Sequence, residues 1–475
     1  MSLDLNRRDM LKAAAGAALL VPQRVLGAND RVRVAVVGLR GRGLDHLRKV
    51  KDTPGVELAA VVDIDENVIA TRLGDVERLG LGKPKTFVDI RKMLEDKSID
   101  AITVATPNHW HSLMGIWACQ AGKDAYVEKP LSHSWWEGKQ LVAAASKYNR
   151  IVQHGTQSRS SAGAKEAIQK LRDGLVGDLY LSRGLCYKWR DTIGRKPRQA
   201  VPAGVDYNLW LGPAPDRGFT MNRFHYTWHW FWDTGNGDLG NQGIHEVDTA
   251  RWGLGVKFPN KVSAIGGHVM FDDDQETPNV LNCCFEFDMP DGKRRLMEFE
   301  VRHWMTNHEA DIGQFGGGSV LPAAGLNSAA KPAAPAPAPA AKQAANLGPA
   351  TGKPGTVGNI FYGPGGYLAI QEYESYKYWL GEKQDPSPVF RGKENHFANF
   401  IDCVRSRKKE DLNAPVEEGH ISCTLVHLAN VSYRLGRTLH FDPQTEQVIG
   451  DDEANRMLRD GDRGYRPGFT IPDKV

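Results

Sequence analysis

Apolar runs of four or five residues alternate with helical periodicity through the first third of the chain. Strands are predicted over residues 33–37, 58–62, 101–105, 124–127 and 151–154. Helices are predicted over residues 66–79, 110–121 and 135–147. Continuous apolar runs are typical of strands covered on both faces. Their alternation with helices predicts an α/β fold, a Rossmann-type doubly wound parallel sheet that binds its ligand at the carboxyl ends of the strands.

The remainder of the chain, residues 158–475, is predicted to form a second domain after a first domain over residues 29–157. Helices are expected over residues 394–407 and 417–435. Between them and the first domain, residues 316–357 change to Ala, Pro and Gly, a composition that buries too little apolar surface to fold. We interpret this stretch as a semi-extended or disordered surface insertion, with a lid or a spacer toward a partner subunit as the alternative.

Residues 1–28 have the three parts of a secretory signal, with Arg7-Arg8, an apolar stretch over 13–21 and small residues at 26–28. The paired arginines favour the twin-arginine export route. The apolar stretch is far shorter than the roughly 20 residues that a membrane span needs. We therefore expect an exported, periplasmic protein without a membrane span; a chance basic N-terminus or an uncleaved tether is the alternative.

Charge and cysteine content exclude several classes of protein. Removing the four basic and two acidic residues of the leader lowers the formal net charge from +3 to about +1. A nearly neutral chain offers no electrostatic basis for binding nucleic acid or a membrane surface.

The six cysteines form no CxxC pair and are expected to stay reduced. The polar loop over residues 233–238 does not have EF-hand spacing, so we expect no metal.

A glycine-rich turn follows the first strand and opens a helix, an arrangement that holds a pyrophosphate. It consists of Gly38, Leu39, Arg40, Gly41, Arg42 and Gly43. Read as GxGxxG, the motif has Arg40 in place of its middle glycine. The second strand ends in Asp63, about 20 residues past Gly43, where a carboxylate accepts from ribose hydroxyls and repels a 2′-phosphate. NAD is therefore favoured, while NADP stays an alternative because Arg40 or Arg42 can contact a phosphate.

Polar residues also follow later strands at the predicted ligand edge. The additional cofactor-binding candidates are Thr106, Pro107, Asn108, His111, Glu128, Lys129 and Gln157. Capping and turn chemistry account for Thr106 and Pro107 without any ligand. Such chemistry explains Lys129 poorly, because a lysine at the end of a buried strand faces the crevice where a nicotinamide would lie.

Taken together, Thr106-Pro107 with His111, Glu128-Lys129-Pro130, residues 210–213, 243–248 and 396–400 resemble the Gfo/Idh/MocA family. The resemblance covers most of the chain after the leader. It implies a nicotinamide-binding domain followed by an α/β domain with a large, mostly antiparallel open sheet. The face of that sheet would cover the nicotinamide and bind a sugar or polyol.

The resemblance also implies catalytic roles. Lys129 corresponds to the family's active-site lysine, which hydrogen-bonds the reacting oxygen, and His245 to the histidine that moves the hydroxyl proton. Asp248, three residues further along a helix, is expected to orient the imidazole of His245. Many dehydrogenases of this family carry aspartate four residues before the histidine, whereas this chain has Asn241, which cannot take a proton.

Candidate substrate contacts come from two further segments. Arg159 and Tyr187, with Lys188 and Arg190, follow the first domain and supply directional donors for hydroxyl groups. Aromatic residues crowd the segment over 224–232, and Trp228, Trp230 and Trp232 share a face if it is a strand. We expect Tyr226 and Trp228 of this segment to contact a sugar, together with Asn241 and His245. A sheet core or subunit interface is the alternative for many of these rings.

We therefore expect an NAD-dependent oxidoreductase that transfers a hydride between a sugar, polyol or glycoside hydroxyl and a retained cofactor, in a homo-oligomer such as a dimer or tetramer. A redox-neutral, NAD-dependent glycosidase or epimerase-like enzyme is the first alternative, because Arg40 and Asn241 depart from the dehydrogenase pattern. A sugar-binding protein without turnover is the second.

Overall fold

The structure is a computed structural model that describes residues 31–304, 307, 309–312, 320–322 and 355–475. The predicted leader and most of the Ala/Pro-rich insertion lie outside the described residues. The first domain comprises β1 Val32–Val37, α1 Gly41–Asp52, β2 Val56–Val62, α2 Glu66–Leu79, β3 Lys85–Phe87, α3 Ile90–Leu94, β4 Ala101–Val104, α4 Asn108–Gln120, β5 Asp124–Val127, α5 Trp135–Lys147 and β6 Val152–His154.

The second part of the chain is longer and richer in strands. Its elements are α6 Ala162–Arg172, β7 Leu181–Lys188, α7 Tyr207–Leu211, α8 Gly237–Asn241, α9 Gly243–Leu254, β8 Lys261–Gly267, β9 Val280–Asp288, β10 Arg294–His303, β11 Val320–Pro322, β12 Thr356–Gly363, β13 Gly366–Gln371, β14 Ser375–Leu380, β15 Asp385–Pro386, β16 Val389–Arg391, α10 His396–Ser406, α11 Val416–Leu435, β17 Leu439–Asp442, β18 Gln447–Val448 and α12 Asp452–Asp460. Short 3-10 helices span Gln157–Ser160, Met221–Arg223, Thr227–Trp230 and Lys409–Asp411.

The first six strands form one parallel sheet in the order β3-β2-β1-β4-β5-β6. This arrangement confirms the predicted doubly wound sheet. The order reverses between β1 and β4, so the carboxyl ends of β1, β4 and β5 lie side by side at the place where such folds bind ligands. The glycine turn, Thr106 and Lys129 follow these three strand ends.

Helix α10 covers part of the parallel sheet although it lies late in the sequence. Its Phe400 and Ile401 are buried in one hydrophobic cluster with Val34 and Val36 of β1. Hydrophobic burial of one face of β1 therefore depends on a segment that the sequence placed in the second domain, within 158–475.

The second sheet has twelve strands among the described residues, in the order β11-β16-β14-β13-β12-β7-β10-β9-β8-β17-β18, with β15 paired to β14. Strand β7 pairs in parallel with β10 and antiparallel with β12, and most other pairs are antiparallel, as predicted. Helices α6, α9 and α11 pack on this sheet. A Cβ added at Gly184 of β7 would come within 3.1 Å of Glu246 in α9, so the bare glycine lets this helix lie close to the sheet.

Two local predictions are corrected. Residues 320–322 pair in parallel with β16, and β12, which begins at Thr356, pairs with β7, so residues 320–322 and 356–357 of the 316–357 stretch belong to the sheet. The aromatic segment forms a 3-10 helix over Thr227–Trp230 instead of a strand, so its alternate rings do not share a strand face.

All six cysteines are free thiols. Among the described residues, no helix is long and apolar enough to cross a membrane.

Candidate active site

A cavity of about 540 Å³ lies where the carboxyl edge of the parallel sheet meets the second domain. The first domain lines it with the glycine turn and the residues after β2, β4 and β5. The second domain contributes residues from the end of β7, from the segment over 224–229, from α8 and α9, and Tyr373. Both domains therefore contribute side chains to one interdomain site, as expected for a two-domain enzyme.

The glycine turn has the geometry of a dinucleotide site. Gly38 has a φ of +82°, and a Cβ there would lie 2.7 Å from the carbonyl oxygen of Ala105. A Cβ at Gly43 would overlap the carbonyl oxygen of Gly38. Backbone packing thus requires glycine at both positions, and it leaves the N-terminus of α1, which begins at Gly41, facing the cavity. This is the favourable position for a phosphate.

Asp63 lies beside the turn at the end of β2. Its Oδ2 accepts a hydrogen bond from the Leu39 amide at 2.7 Å, and its Oδ1 accepts one from the Asp65 amide at 3.1 Å. Burial raises the pKa of Asp63 to about 6, although both amides act in the opposite direction. A carboxylate held in this position suits the ribose hydroxyls of NAD.

Arg40 of the turn contacts the segment that covers the cavity. One of its guanidinium nitrogens, Nη1, lies 3.0 Å from Nε2 of His225. Burial lowers the pKa of His225 to about 4, with Arg40 acting in the same direction. A neutral His225 can therefore accept a hydrogen bond from Arg40 and join the dinucleotide turn to the second domain.

Glu128 is buried at the end of β5 between two basic side chains. Arg42 Nε donates to its Oε1 at 2.6 Å, and His46 Nε2 lies 3.0 Å from the same atom. Burial alone would raise the pKa of Glu128, but Arg42 and then His46 outweigh it and hold the pKa well below the usual range. The carboxylate therefore remains charged next to Lys129.

Lys129 projects into the cavity, and among the described residues its Nζ donates hydrogen bonds only to two neutral oxygens of Asn241. Its Nζ donates to the Asn241 carbonyl oxygen at 2.8 Å and to Oδ1 at 3.2 Å. Burial lowers the pKa of Lys129 to about 8, and the charge of Glu128 limits the shift. The ammonium group can thus exchange its proton near neutral pH.

His245 lies in the first turn of α9 and lines the same cavity. Its Nδ1 is buried and has no hydrogen-bond partner among the described residues. The imidazole packs 4.7 Å from the ring of Tyr373, centroid to centroid. Burial and then the charge of Lys129 hold the pKa of His245 well below its usual range. The histidine is therefore neutral and can offer a nitrogen to a ligand.

Three of the predicted site residues lie elsewhere. The Asp248 carboxylate binds Arg159 at 2.7 and 2.9 Å and the Ser422 hydroxyl at 2.6 Å, so the expected orientation of His245 by Asp248 is wrong. Arg159 is thereby held in a buried ion pair and does not line the cavity. The Tyr187 hydroxyl donates to Glu300 at 2.6 Å, outside the cavity lining.

The structure brings the other predicted residues together in the cavity lining, except Gly43, which packs against Gly38 of the turn and does not line the cavity. The cavity lining includes Gly38, Leu39, Arg40, Gly41, Arg42, Asp63, Thr106, Pro107, Asn108, His111, Glu128, Lys129, Gln157, Tyr226, Trp228, Asn241 and His245. His111 joins two strand ends, since its ring nitrogens lie 2.6 Å from the Pro130 carbonyl oxygen and 2.8 Å from that of Thr106. The roles of these residues remain predictions.

Tyr373 is a lining residue that the sequence did not indicate. It follows β13, beyond the Ala/Pro-rich insertion, and its hydroxyl accepts a hydrogen bond from Gln242 Nε2. Gln242 Nε2 also donates to Glu246 at 3.1 Å. No motif or spacing in the sequence indicates Tyr373, because its position beside His245 results from the pairing of β13 within the large sheet.

The fold and the site define a two-domain dinucleotide-binding protein of the oxidoreductase class. Residues 32–156 match the Gfo/Idh/MocA family model described as the oxidoreductase family's NAD-binding Rossmann fold. Residues 172–279 and 363–466 match the model of that family's C-terminal alpha/beta domain. The chain belongs to the Gfo/Idh/MocA oxidoreductase family, and its first domain is an NAD-binding Rossmann domain.

Curated relatives are similar over part of the chain. A glycosyl hydrolase family 109 protein of Shewanella pealeana is 30% identical over 204 residues, which cover 37% of this chain and 45% of that protein. An α-N-acetylgalactosaminidase of Shewanella oneidensis is 26% identical over 204 residues, covering 37% of this chain and 44% of the relative. The matches thus span less than half the length of these relatives.

Solved structures share the fold over most of both chains. Aldose-aldose oxidoreductase from Caulobacter crescentus, complexed with glycerol, aligns with a TM-score of 0.58 at 18% identity, covering 86% of this chain and all of that chain. Levoglucosan dehydrogenase, in complex with NADH and levoglucosan, aligns with a TM-score of 0.59 at 14% identity, covering 86% and 99%. At this level of identity the likeness concerns the fold.

Proposed function

We propose that the protein transfers a hydride between a hydroxyl of a sugar, polyol or glycoside and a retained NAD. The observation that carries this proposal is the convergence of Lys129 Nζ, the unpartnered His245 Nδ1 and the dinucleotide turn on one cavity. A hydride donor or acceptor, an oxygen-binding cation and a neutral imidazole are the groups that alcohol oxidation requires.

The residues around the turn fit the dinucleotide. Gly38 and Gly43 let the backbone approach a pyrophosphate, and Asp63 offers a carboxylate to the ribose. Gln157 also lines the cavity, and its Oε1 is buried and has no hydrogen-bond partner among the described residues. An unsatisfied buried acceptor in a cavity favours a bound polar group such as a carboxamide. NAD bound here would supply the hydride chemistry.

The proton in this reaction is assigned to His245. As the neutral imidazole, it accepts the hydrogen of the substrate hydroxyl on Nδ1 during oxidation and returns it during reduction. Lys129, when protonated, donates a hydrogen bond to the same substrate oxygen and stabilises the developing alkoxide. Asn241 holds the lysine in place without neutralising it, since both of its contacts are uncharged oxygens.

The proposal is tested by the reduced-nicotinamide absorbance of the purified protein before and after sugars are added. The band is expected to appear with the cognate sugar in the parent protein. Lys129→Ala should retain bound NAD but lose reduction, whereas the matched variant at the exposed Lys257, Lys257→Ala, should behave as the parent. Full turnover by Lys129→Ala would refute the role assigned to this lysine.

A redox-neutral glycosidase is the second candidate, favoured by the names of the curated relatives and by Asn241. Such an enzyme would oxidise a ring carbon transiently by hydride transfer to NAD, and the acidified neighbouring C–H would then lose its proton as the aglycone leaves and takes up a proton. Water would add across the resulting double bond, and the hydride would return to the ring carbon. Release of the aglycone from a glycoside panel, without a lasting change in the absorbance band, would support it over net oxidation.

We further propose that the protein is exported through the twin-arginine route with NAD already bound. At an association rate of about 10⁶ M⁻¹ s⁻¹ and a Kd of roughly 1 nM, the cofactor would dissociate in about a quarter of an hour. An exported enzyme therefore needs a covered cofactor, and the contact between Arg40 and His225 supports such a cover. Replacing Arg7-Arg8 with two lysines should leave the protein in the cytoplasm, as measured by cell fractionation.

A homo-oligomer remains part of the proposal. The mass of the purified protein, measured by light scattering, is expected to correspond to a dimer or tetramer, and a monomer would contradict this expectation.

A further inference from the structure

Two lysines line the cavity from opposite domains. Lys129 follows β5, and Lys188 is the last residue of β7 in the second domain. The charge of Lys188 contributes to lowering the pKa of Lys129, which means that the two ammonium groups act on each other. Within the described part of the chain, neither ammonium group forms an ion pair with a carboxylate, and the hydrogen-bond acceptors of Lys129 Nζ are the two neutral oxygens of Asn241.

The carboxylates near these lysines are engaged by other cations. Asp238 binds Arg190 through two contacts of 3.0 Å, and His303 Nε2 lies 2.9 Å from Asp238 Oδ2. Glu128 is similarly held by the ion pair with Arg42. Neither carboxylate is therefore free to neutralise the two lysines.

Glu246 does not compensate the lysines either. It is buried one residue after His245, and its hydrogen bonds are to Gln242 at 3.1 and 3.4 Å. Burial raises the pKa of Glu246 to about 8, with Lys188 acting in the opposite direction. Burial thus favours the neutral form of Glu246, and within the described residues this side chain forms no ion pair with either lysine.

Uncompensated charge in a half-buried site is costly, and a ligand of opposite charge removes that cost. In the proposed reaction Lys129 is occupied by the reacting oxygen, which leaves Lys188 for a second group. Lys188 belongs to the large sheet rather than to the glycine turn, so we expect its charge to act on the substrate and not on the cofactor phosphates. A single carboxylate on a sugar matches this arrangement.

We propose that the substrate is a sugar acid, a hexuronic acid or its glycoside, and that Lys188 binds its carboxylate. This inference rests on the proposed function for its reaction, but the binding step is separate from turnover. A salt bridge with a charge-assisted hydrogen bond predicts a preference of roughly tenfold to a hundredfold for the acid over the neutral sugar.

The test compares matched pairs that differ only at the carboxylate: glucuronate with glucose, galacturonate with galactose, and the methyl glycosides of each. Calorimetry measures binding to the NAD-loaded protein, and nicotinamide reduction measures kcat/KM. Lys188→Met should abolish the preference for the acid, Lys188→Arg should restore most of it, and Lys257→Met, at an exposed position of the same domain, should match the parent.

The outcomes separate this inference from the proposed function. Tighter binding of the neutral sugar, an equal preference in Lys188→Met and the parent, or stronger binding of a sugar phosphate would overturn the inference even if sugars reduce the nicotinamide. Binding of uronates that depends on Lys188, without any reduction, would support the inference and contradict the proposed oxidation.

Discussion

Replacing Asn241 with aspartate tests the electrostatics of the proposed site. The Lys129 Nζ lies 3.2 Å from Asn241 Oδ1, so Asn241→Asp places a negative charge at that distance. With an effective dielectric constant of about 20, Coulomb's law gives about 5 kcal/mol, or roughly 4 pKa units as an upper bound. The negative charge of Asp238, which accepts from Asn241 Nδ2 at 3.1 Å, repels the carboxylate of the new aspartate. The ion pair of Asp238 with Arg190 weakens this repulsion. We therefore expect the pKa of Lys129 to rise by roughly 1 to 3 units.

The assay is the pH dependence of the single-turnover rate of nicotinamide reduction. Because protonated Lys129 stabilises the alkoxide, the parent rate should fall as the pH rises through the Lys129 pKa of about 8. An opposite charge favours the protonated lysine, so the alkaline limb of Asn241→Asp should move to higher pH while the acid limb changes less. Asn282→Asp, an exposed change on β9, serves as the control. An alkaline limb that stays at the parent position would refute this account of Lys129.

Three further variants test the turn, the corrected ion pair and the proton acceptor. Gly43→Ala should lose bound NAD, because the added Cβ overlaps the backbone carbonyl of Gly38. The amount of nucleotide released when the protein is denatured measures this loss, and Gly74→Ala, on an open helix surface, is the control. Arg159→Met should lower the free energy of unfolding by about 3 to 5 kcal/mol in denaturant titrations, because the Asp248 carboxylate is left buried without its main partner. Activity per folded molecule should be retained, and lost activity with unchanged stability would contradict this expectation. His245→Gln should slow nicotinamide reduction by about 10² to 10⁴-fold with NAD retained, and a parent-like rate would exclude His245 as the proton acceptor.

The parallel sheet was predictable because its strands are short apolar runs separated by helices with clear start and stop signals. Predicted and observed bounds coincide for Asp124–Val127, Trp135–Lys147 and Glu66–Leu79. The pattern did not indicate that α10 covers β1, since a hydrophobic stripe specifies that a face is buried but not which element covers it. The strands at residues 320–322 and 356–357 were missed because strand pairing depends on a distant partner and not on local composition.

Residues at strand ends were predictable for the same topological reason, whereas side-chain partners were not. Lys129 and Asp63 follow parallel strands, whose carboxyl ends must meet at one edge. Asp248 was placed beside His245 on helix spacing alone, but a buried carboxylate needs a cation, and Arg159 supplies it from another segment. Tyr187 lies next to Lys188 on β7, and successive strand residues point to opposite faces, so only one of the two can face the cavity.

Both proposed functions begin with the same step, so the residues around the substrate oxygen cannot by themselves separate net oxidation from transient oxidation. The difference depends on whether the oxidised sugar leaves before the hydride returns. The contact of Arg40 with His225 joins the cofactor turn to the covering segment, so we expect product release and cofactor exposure to be coupled through this interface. A cover that retains NAD also slows exchange of the sugar, which favours a cycle that restores the cofactor before the product departs. Arg40→Ala, which removes this contact, should therefore accelerate loss of NAD and, in a redox-neutral enzyme, release oxidised sugar together with reduced cofactor.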